Sequence, residues 1–176
     1  MFLLAALILG LSSHAPTAVE TPQLARHAAE ASEDCLKATD KNGVSATGLV
    51  AAGWQLSDEG EVDHLPQASF SRPDRTFHIR ISAFKFDEPS QCWFAITLER
   101  QADYPSFQNA LADRLGRKPD NVENRLISDG KPETIPEYFW YQPRASVELS
   151  MMPAMKNGPD TDTLFVSVIP NLESAK

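Results

Sequence analysis

Residues 76–99 constrain the fold most, because apolar and polar side chains alternate there along two runs separated by a turn. A period of two is what a strand with one buried face requires. The turn, residues 87–90, contains Pro89 and other turn-forming residues. The stretch therefore predicts a β-hairpin with one buried face. The side chains expected on the buried face are Phe77, Ile79 and Ile81 in the first strand and Cys92, Phe94, Ile96 and Leu98 in the second.

The two cysteines of the chain are predicted to form a disulfide. Leu24, Ala28, Ala31 and Cys35 recur at helical spacing, which places Cys35 on the buried stripe of a first helix. Cys92 lies on the predicted buried face of the hairpin, so two independent patterns place both sulfurs between helix and sheet. A catalytic or redox cysteine is disfavoured, since the sequence has no CxxC motif and no histidine beside either cysteine.

The beginning of the chain predicts export. Residues 2–11 form an uncharged apolar run, and residues 12–18 are mostly small. A run of about ten residues is too short to span a bilayer, which needs about 20, and is typical of a signal peptide. We therefore expect a signal peptide at 1–18 and a single domain at 19–176, periplasmic or secreted, with no stable membrane insertion after cleavage. A disulfide agrees with that compartment.

The two halves of the chain share a pattern. Each has a helix ending at a glycine (Gly53 and Gly116), then strands, a proline turn at Pro73 or Pro143, and a last apolar strand. This pattern predicts an α-β-β-β unit that occurs twice, with one helix added in front. The fold class expected is α+β, an antiparallel sheet of about six strands with two to three helices packed on one face. Whether the strands form one sheet or two subsheets stays open.

Charge and motifs narrow the function. The formal net charge is −8 and the chain has no basic run, which disfavours nucleic acid as a partner. The sequence contains no GxSxG, no HExxH and no glycine-rich phosphate loop, so no cofactor is expected. Residues 57–66 are predicted to form an acidic loop, but its spacing does not match a calcium loop. His64 takes the glycine position and Phe70 the closing glutamate position, so no metal site is predicted.

The candidate binding surface is the sheet face opposite the helices. We expect His78, Arg80, Trp93 and either Trp140 or its neighbour Tyr141 on that face, because aromatic and cationic side chains make efficient anchors for a ligand or protein. The alternative is that loops or the third helix cover this face, in which case its aromatic residues belong to the core.

Three functions remain open on the sequence. The first is an exported binding or accessory module without catalytic residues, which takes an envelope protein or a small ligand. The second is a small envelope hydrolase that uses His64 or His78 with nearby carboxylates. The third is a purely structural envelope protein. The ligand and the oligomeric state are not determined by the sequence.

Overall fold

The computed structural model describes residues 20–62, 65–83, 89–126, 134–154 and 161–171. The predicted signal peptide at 1–18 therefore lies outside the described residues, and so does His64. Among the helices of the described ranges, none combines the length and the apolar character needed to cross a membrane.

The chain has an α+β fold whose centre is one antiparallel sheet of eight strands in the order β3-β4-β5-β6-β10-β9-β8-β7. The class agrees with the prediction, but the sheet has eight strands where about six were expected. The helices are α1 (Thr21–Ala38), α2 (Ala46–Ala51) and α3 (Tyr104–Leu115), and β1 (Thr39–Asp40) with β2 (Gly43–Val44) forms a small separate hairpin. The sheet strands are β3 (Gln55–Val62), β4 (Leu65–Ser71), β5 (Ile79–Ser82), β6 (Gln91–Thr97), β7 (Asn121–Leu126), β8 (Thr134–Tyr141), β9 (Ala145–Met152) and β10 (Thr163–Pro170).

The predicted acidic loop at 57–66 is wrong, because most of it lies in strands β3 and β4. These strands pair in antiparallel fashion from Gln55 to Val62, with a register shift between Leu56 and Asp58. Strand β3 is at the edge of the sheet. Charged side chains are common on edge strands, since they stay solvated and discourage pairing with other chains. Composition alone therefore misassigned this segment.

The hydrophobic core lies between the helices and one face of the sheet. We call this the helix-covered face; it carries Cys92 and Phe94 of β6 and Val166 of β10, each 1 % exposed or less. Helix α1 contacts β10, and α2 and α3 both pack against α1. The predicted disulfide between Cys35 and Cys92 is confirmed and fastens α1 to β6. The opposite face, to which Trp93 of β6 and Phe165 of β10 belong, is called the outer face.

The predicted duplication is present, with one more strand in each unit. The units are α2-β3-β4-β5-β6 and α3-β7-β8-β9-β10, and their last strands, β6 and β10, pair with each other at the middle of the sheet. One row of paired residues on the helix-covered face runs through three strands of each unit. This row consists of Leu56, Phe70 and Ile79 in the first unit and of Val122, Tyr138 and Leu149 in the second.

Candidate functional site

The outer face is crossed by a row of paired side chains that runs through all eight strands, from Asp58 of β3 to Asn121 of β7, and we call its five members from β5 to β8 the central row. Strand pairing aligns Arg80 of β5 with Trp93 of β6, and Trp93 with Ser167 of β10. The row continues from Ser167 to Glu148 of β9 and from Glu148 to Phe139 of β8. Directly paired residues on one face of a sheet are close enough for their side chains to interact. The row thus combines a cation, two aromatic rings and a carboxylate.

Arg80 and Trp93 interact directly at one end of this row. The guanidinium carbon of Arg80 lies 4.9 Å from the centre of the Trp93 ring, within the range of a cation–π contact. The indole Nε1 of Trp93 donates a hydrogen bond of 2.9 Å to Ser82 Oγ in the neighbouring strand. Trp93 is half-buried and Arg80 is exposed. These two contacts hold the indole in one orientation while part of it remains accessible.

A second aromatic ring lies diagonally from the first across the junction of the two units. Phe165 of β10 pairs with Ala95 of β6 and with Ser150 of β9. Its place in the second unit corresponds to that of Trp93 in the first. Phe165 is half-buried. On each of the two central strands, β6 and β10, a large ring therefore alternates with a small residue along the outer face.

Charge is distributed unequally between the two halves of the outer face. Burial raises the pKa of the Glu148 carboxyl, and the neighbouring Glu137 raises that pKa further, whereas Arg125 opposes the shift. The Nη1 atom of Arg125 lies 3.3 Å from Glu137 Oε1, so these two form an ion pair. Glu148 takes part in no ion pair within the described ranges. The half formed by the second unit is consequently acidic, whereas the first half carries both Arg80 and Asp58.

Three of the four predicted surface residues lie on or beside the outer face, and Trp140 does not. Arg80 and Trp93 are in the central row, and His78 is exposed just before β5. Trp140 is 0 % exposed and pairs with Val147 on the helix-covered face, where its Nε1 donates to Arg117 O at 3.1 Å. The prediction for Trp140 is wrong because the pairing of β8 with β9 decides which of its side chains face the helices. Its neighbour Tyr141, 50 % exposed, occupies the outer face instead.

Phe139 is a member of the central row that the sequence did not single out. It lies between Tyr138 and Trp140, so five consecutive residues of β8 are large or charged and show no clear alternation. Only its pairing with Glu148 assigns it to the outer face. At the far end of β8, Ile135 is 3 % exposed although it is on the same face, so that end of β8 does not contribute to the accessible surface.

Two cavities among the described residues have no histidine in their lining. A cavity of about 110 Å³ at the edge of the outer face is lined by residues of β3 and β4 such as Asp58 and Ser69. A second, of about 350 Å³, lies beside Ala68 and Ile81 on the helix-covered side of the same hairpin. Pockets for small ligands typically measure about 300–1,000 Å³, so the cavity at the edge of the outer face is below that range and the second cavity is at its lower end. His78, the described histidine of the hydrolase hypothesis, lines neither cavity.

The remaining chemistry of the described part of the chain adds no second site. Within those ranges, no group of three or more histidine, cysteine, aspartate or glutamate side chains could hold a metal ion. Comparison with known proteins assigns no role to the outer face, because no protein-family model, no curated protein and no solved structure matches the chain. The candidate site therefore rests on the geometry of the central row.

Proposed function

We propose that the protein is an exported binding module that docks a protein partner on the outer face of its sheet. The observation that carries the proposal is Trp93, held by Arg80 and Ser82 at the middle of a sheet face that the described helices leave uncovered. The Cys35–Cys92 disulfide is compatible with an extracellular or periplasmic location. Together with the apolar run at 2–11, it supports export.

The shape of the outer face favours a protein over a small molecule as the partner. Small ligands are usually enclosed in concave pockets, and the cavity at this face measures only about 110 Å³. Protein interfaces instead concentrate their binding energy in a few tryptophan, tyrosine and arginine side chains surrounded by less important contacts. Trp93, Arg80 and Tyr141 provide side chains of this kind on one face of the sheet, and the hydrogen bond of Trp93 reduces the entropy lost when a partner immobilises it.

Site-directed photo-crosslinking tests the proposal in the intact protein. The photoreactive amino acid p-benzoylphenylalanine replaces Thr97, an exposed residue on the outer parity of β6, and the producing cells are irradiated. The same replacement at Asn109, exposed on α3, is the matched control. We expect one discrete adduct of increased mass from position 97 and none of that mass from position 109.

The adduct from position 97 is also expected to disappear when Trp93→Ala is introduced into the same chain. Circular dichroism and an intact Cys35–Cys92 bond establish that the variant remains folded. An adduct that persists unchanged without Trp93, or the absence of any adduct at position 97, contradicts docking on the outer face.

A further inference from the structure

The central row of the outer face is arranged symmetrically about the boundary between the two structural units. Arg80 on β5 and Trp93 on β6 lie on one side of that boundary, and Ser167 on β10 and Glu148 on β9 lie on the other. A two-fold axis parallel to the strands and above this boundary would place β5 of one copy opposite β9 of another, and β6 opposite β10. All four side chains would keep their position along the strand axis, since they belong to one row.

This operation brings together side chains that complement each other. Trp93 of one copy faces Ser167 of the second copy, so that a large ring meets a small side chain. Arg80 faces Glu148 of the second copy, so that a cation meets a half-buried carboxylate with no ion pair inside the described part of its own chain. In the next row on the same face, Phe165 of one copy faces Ala95 of the second copy, so that again a large ring meets a small side chain. Each contact occurs twice, as a two-fold interface requires.

We propose that the partner docked on the outer face is a second copy of this chain, forming a two-fold symmetric sandwich of two sheets. This inference rests on the proposed function and identifies the partner of the same surface. Sheets that pack face to face keep their strands nearly aligned and lie about 10 Å apart, which leaves room for interdigitated rings and small residues. The Trp93 and Phe165 rings fill that layer, and the paired charges set the register of the two copies.

The size of the surface suits a dimer. The six central strands, at about 4.8 Å spacing and with an average length of about 23 Å, give the outer face a projected area of roughly 650 Å² per copy. A standard stable interface buries about 800 Å² of accessible surface per partner. The projected area of the face approaches that size, and protruding side chains add to its accessible surface. The net charge of −8 on each copy opposes association. The two Arg80–Glu148 contacts therefore supply the local attraction that fixes the arrangement.

Charge reversal of the two members of the pair provides the test. Sedimentation velocity is measured from about 1 µM to about 500 µM for the wild-type chain, Arg80→Glu and Glu148→Lys, a span that separates weak from standard interfaces. We expect a wild-type dimer and, for each variant alone, a dissociation constant raised at least about tenfold because like charges then face each other twice. In an equimolar mixture both pairs regain opposite charges, so a mixed dimer should form with nearly wild-type affinity.

A control variant and the competing outcomes complete the test. Arg26→Glu makes the same charge change on an exposed residue of α1 and is expected to leave the dimer intact. A monomeric wild-type chain over the whole range, or a mixture that associates no better than either variant alone, overturns the second copy as partner. If the adduct through position 97 then has a mass other than twice that of the chain, docking on the outer face stands while this inference fails. If there is no adduct, both fail.

Discussion

Cys35 of α1 and Cys92 of β6 are joined across 57 residues of sequence by a disulfide that fastens the helical layer to a central strand of the sheet. Both residues are 0 % exposed, so the bond lies inside the core. The loop that it closes contains α2 and strands β3, β4 and β5, which is most of the first unit. The bond therefore restrains the unit whose helix is the shorter, six residues in α2 against twelve in α3.

Removal of the disulfide should lower stability substantially. In the chain-entropy model, opening a loop of this length costs about 4 kcal/mol of unfolding free energy. We expect that loss in the double variant Cys35→Ala and Cys92→Ala, which leaves no free thiol, measured by urea denaturation against the oxidised wild type. Circular dichroism of the variant without urea controls for an intact fold. A denaturation midpoint equal to that of the wild type would show that the bond contributes nothing measurable.

Trp140 and Tyr141 are adjacent in β8 and should differ strongly in their effect on stability. Trp140 is 0 % exposed and donates a hydrogen bond to Arg117 O, so Trp140→Ala leaves both a cavity and an unpaired carbonyl. A loss of about 3–5 kcal/mol is expected in chemical denaturation. Tyr141→Ala is the matched control; Tyr141 is 50 % exposed, and its loss should cost less than about 1 kcal/mol. Equal losses would contradict the assignment of these residues to opposite faces.

Arg75 connects the turn between β4 and β5 to α1 through a largely buried charge. Its side chain is 4 % exposed, its Nη2 lies 2.5 Å from Glu30 Oε2, and its Nε is buried without a hydrogen-bond partner among the described residues. Glu30→Gln removes one of the two carboxylates that compensate Arg75, the other being Asp74. We expect a loss of about 2 kcal/mol in thermal or urea unfolding, below the full cost of breaking a buried pair because Glu30 is itself partly exposed.

The exposed pair between Lys37 and Glu33 on the same helix serves as the control for Glu30→Gln. Its Nζ–Oε1 distance is 2.9 Å, and the Lys37 side chain is 66 % exposed. Lys37→Ala should cost less than about 1 kcal/mol, since exposed pairs are solvated and screened. If the two substitutions have the same effect, burial of Arg75 carries no energetic consequence.

His27 should make stability depend on pH. Burial lowers the pKa of His27 below its ordinary value of 6.5, and the positive charge of Arg75 lowers that pKa further, with Glu30 opposing. As the pH falls through 6.5, the unfolded chain binds a proton that folded His27 does not, so the unfolding free energy decreases. The wild type should therefore lose more stability than His27→Gln between about pH 8 and about pH 5 in urea denaturation. Parallel losses in the two proteins would contradict the buried, neutral state of His27.

Much of the layered fold could be predicted from the sequence. The stripe of α1 ending at Cys35 and the alternation around Cys92 each depend on a local period, and their common burial was sufficient to predict the disulfide. The glycine ends of the helices and the repeated order of elements indicated two units. For the outer face, Arg80 and Trp93 were correctly placed because the alternation in 76–99 is regular.

The sequence by itself determined which segments have a buried side, because apolar periods of two and 3.6 follow from backbone geometry. Tertiary structure alone decided how these segments combine. Strand β3 exists because β4 pairs with its acidic residues, and β8 turns Trp140 inward and Phe139 outward because its pairing with β9 fixes a parity that its own residues do not reveal. The row from Arg80 to Glu148 likewise joins residues far apart in sequence. Register between distant strands depends on contacts that no local pattern contains.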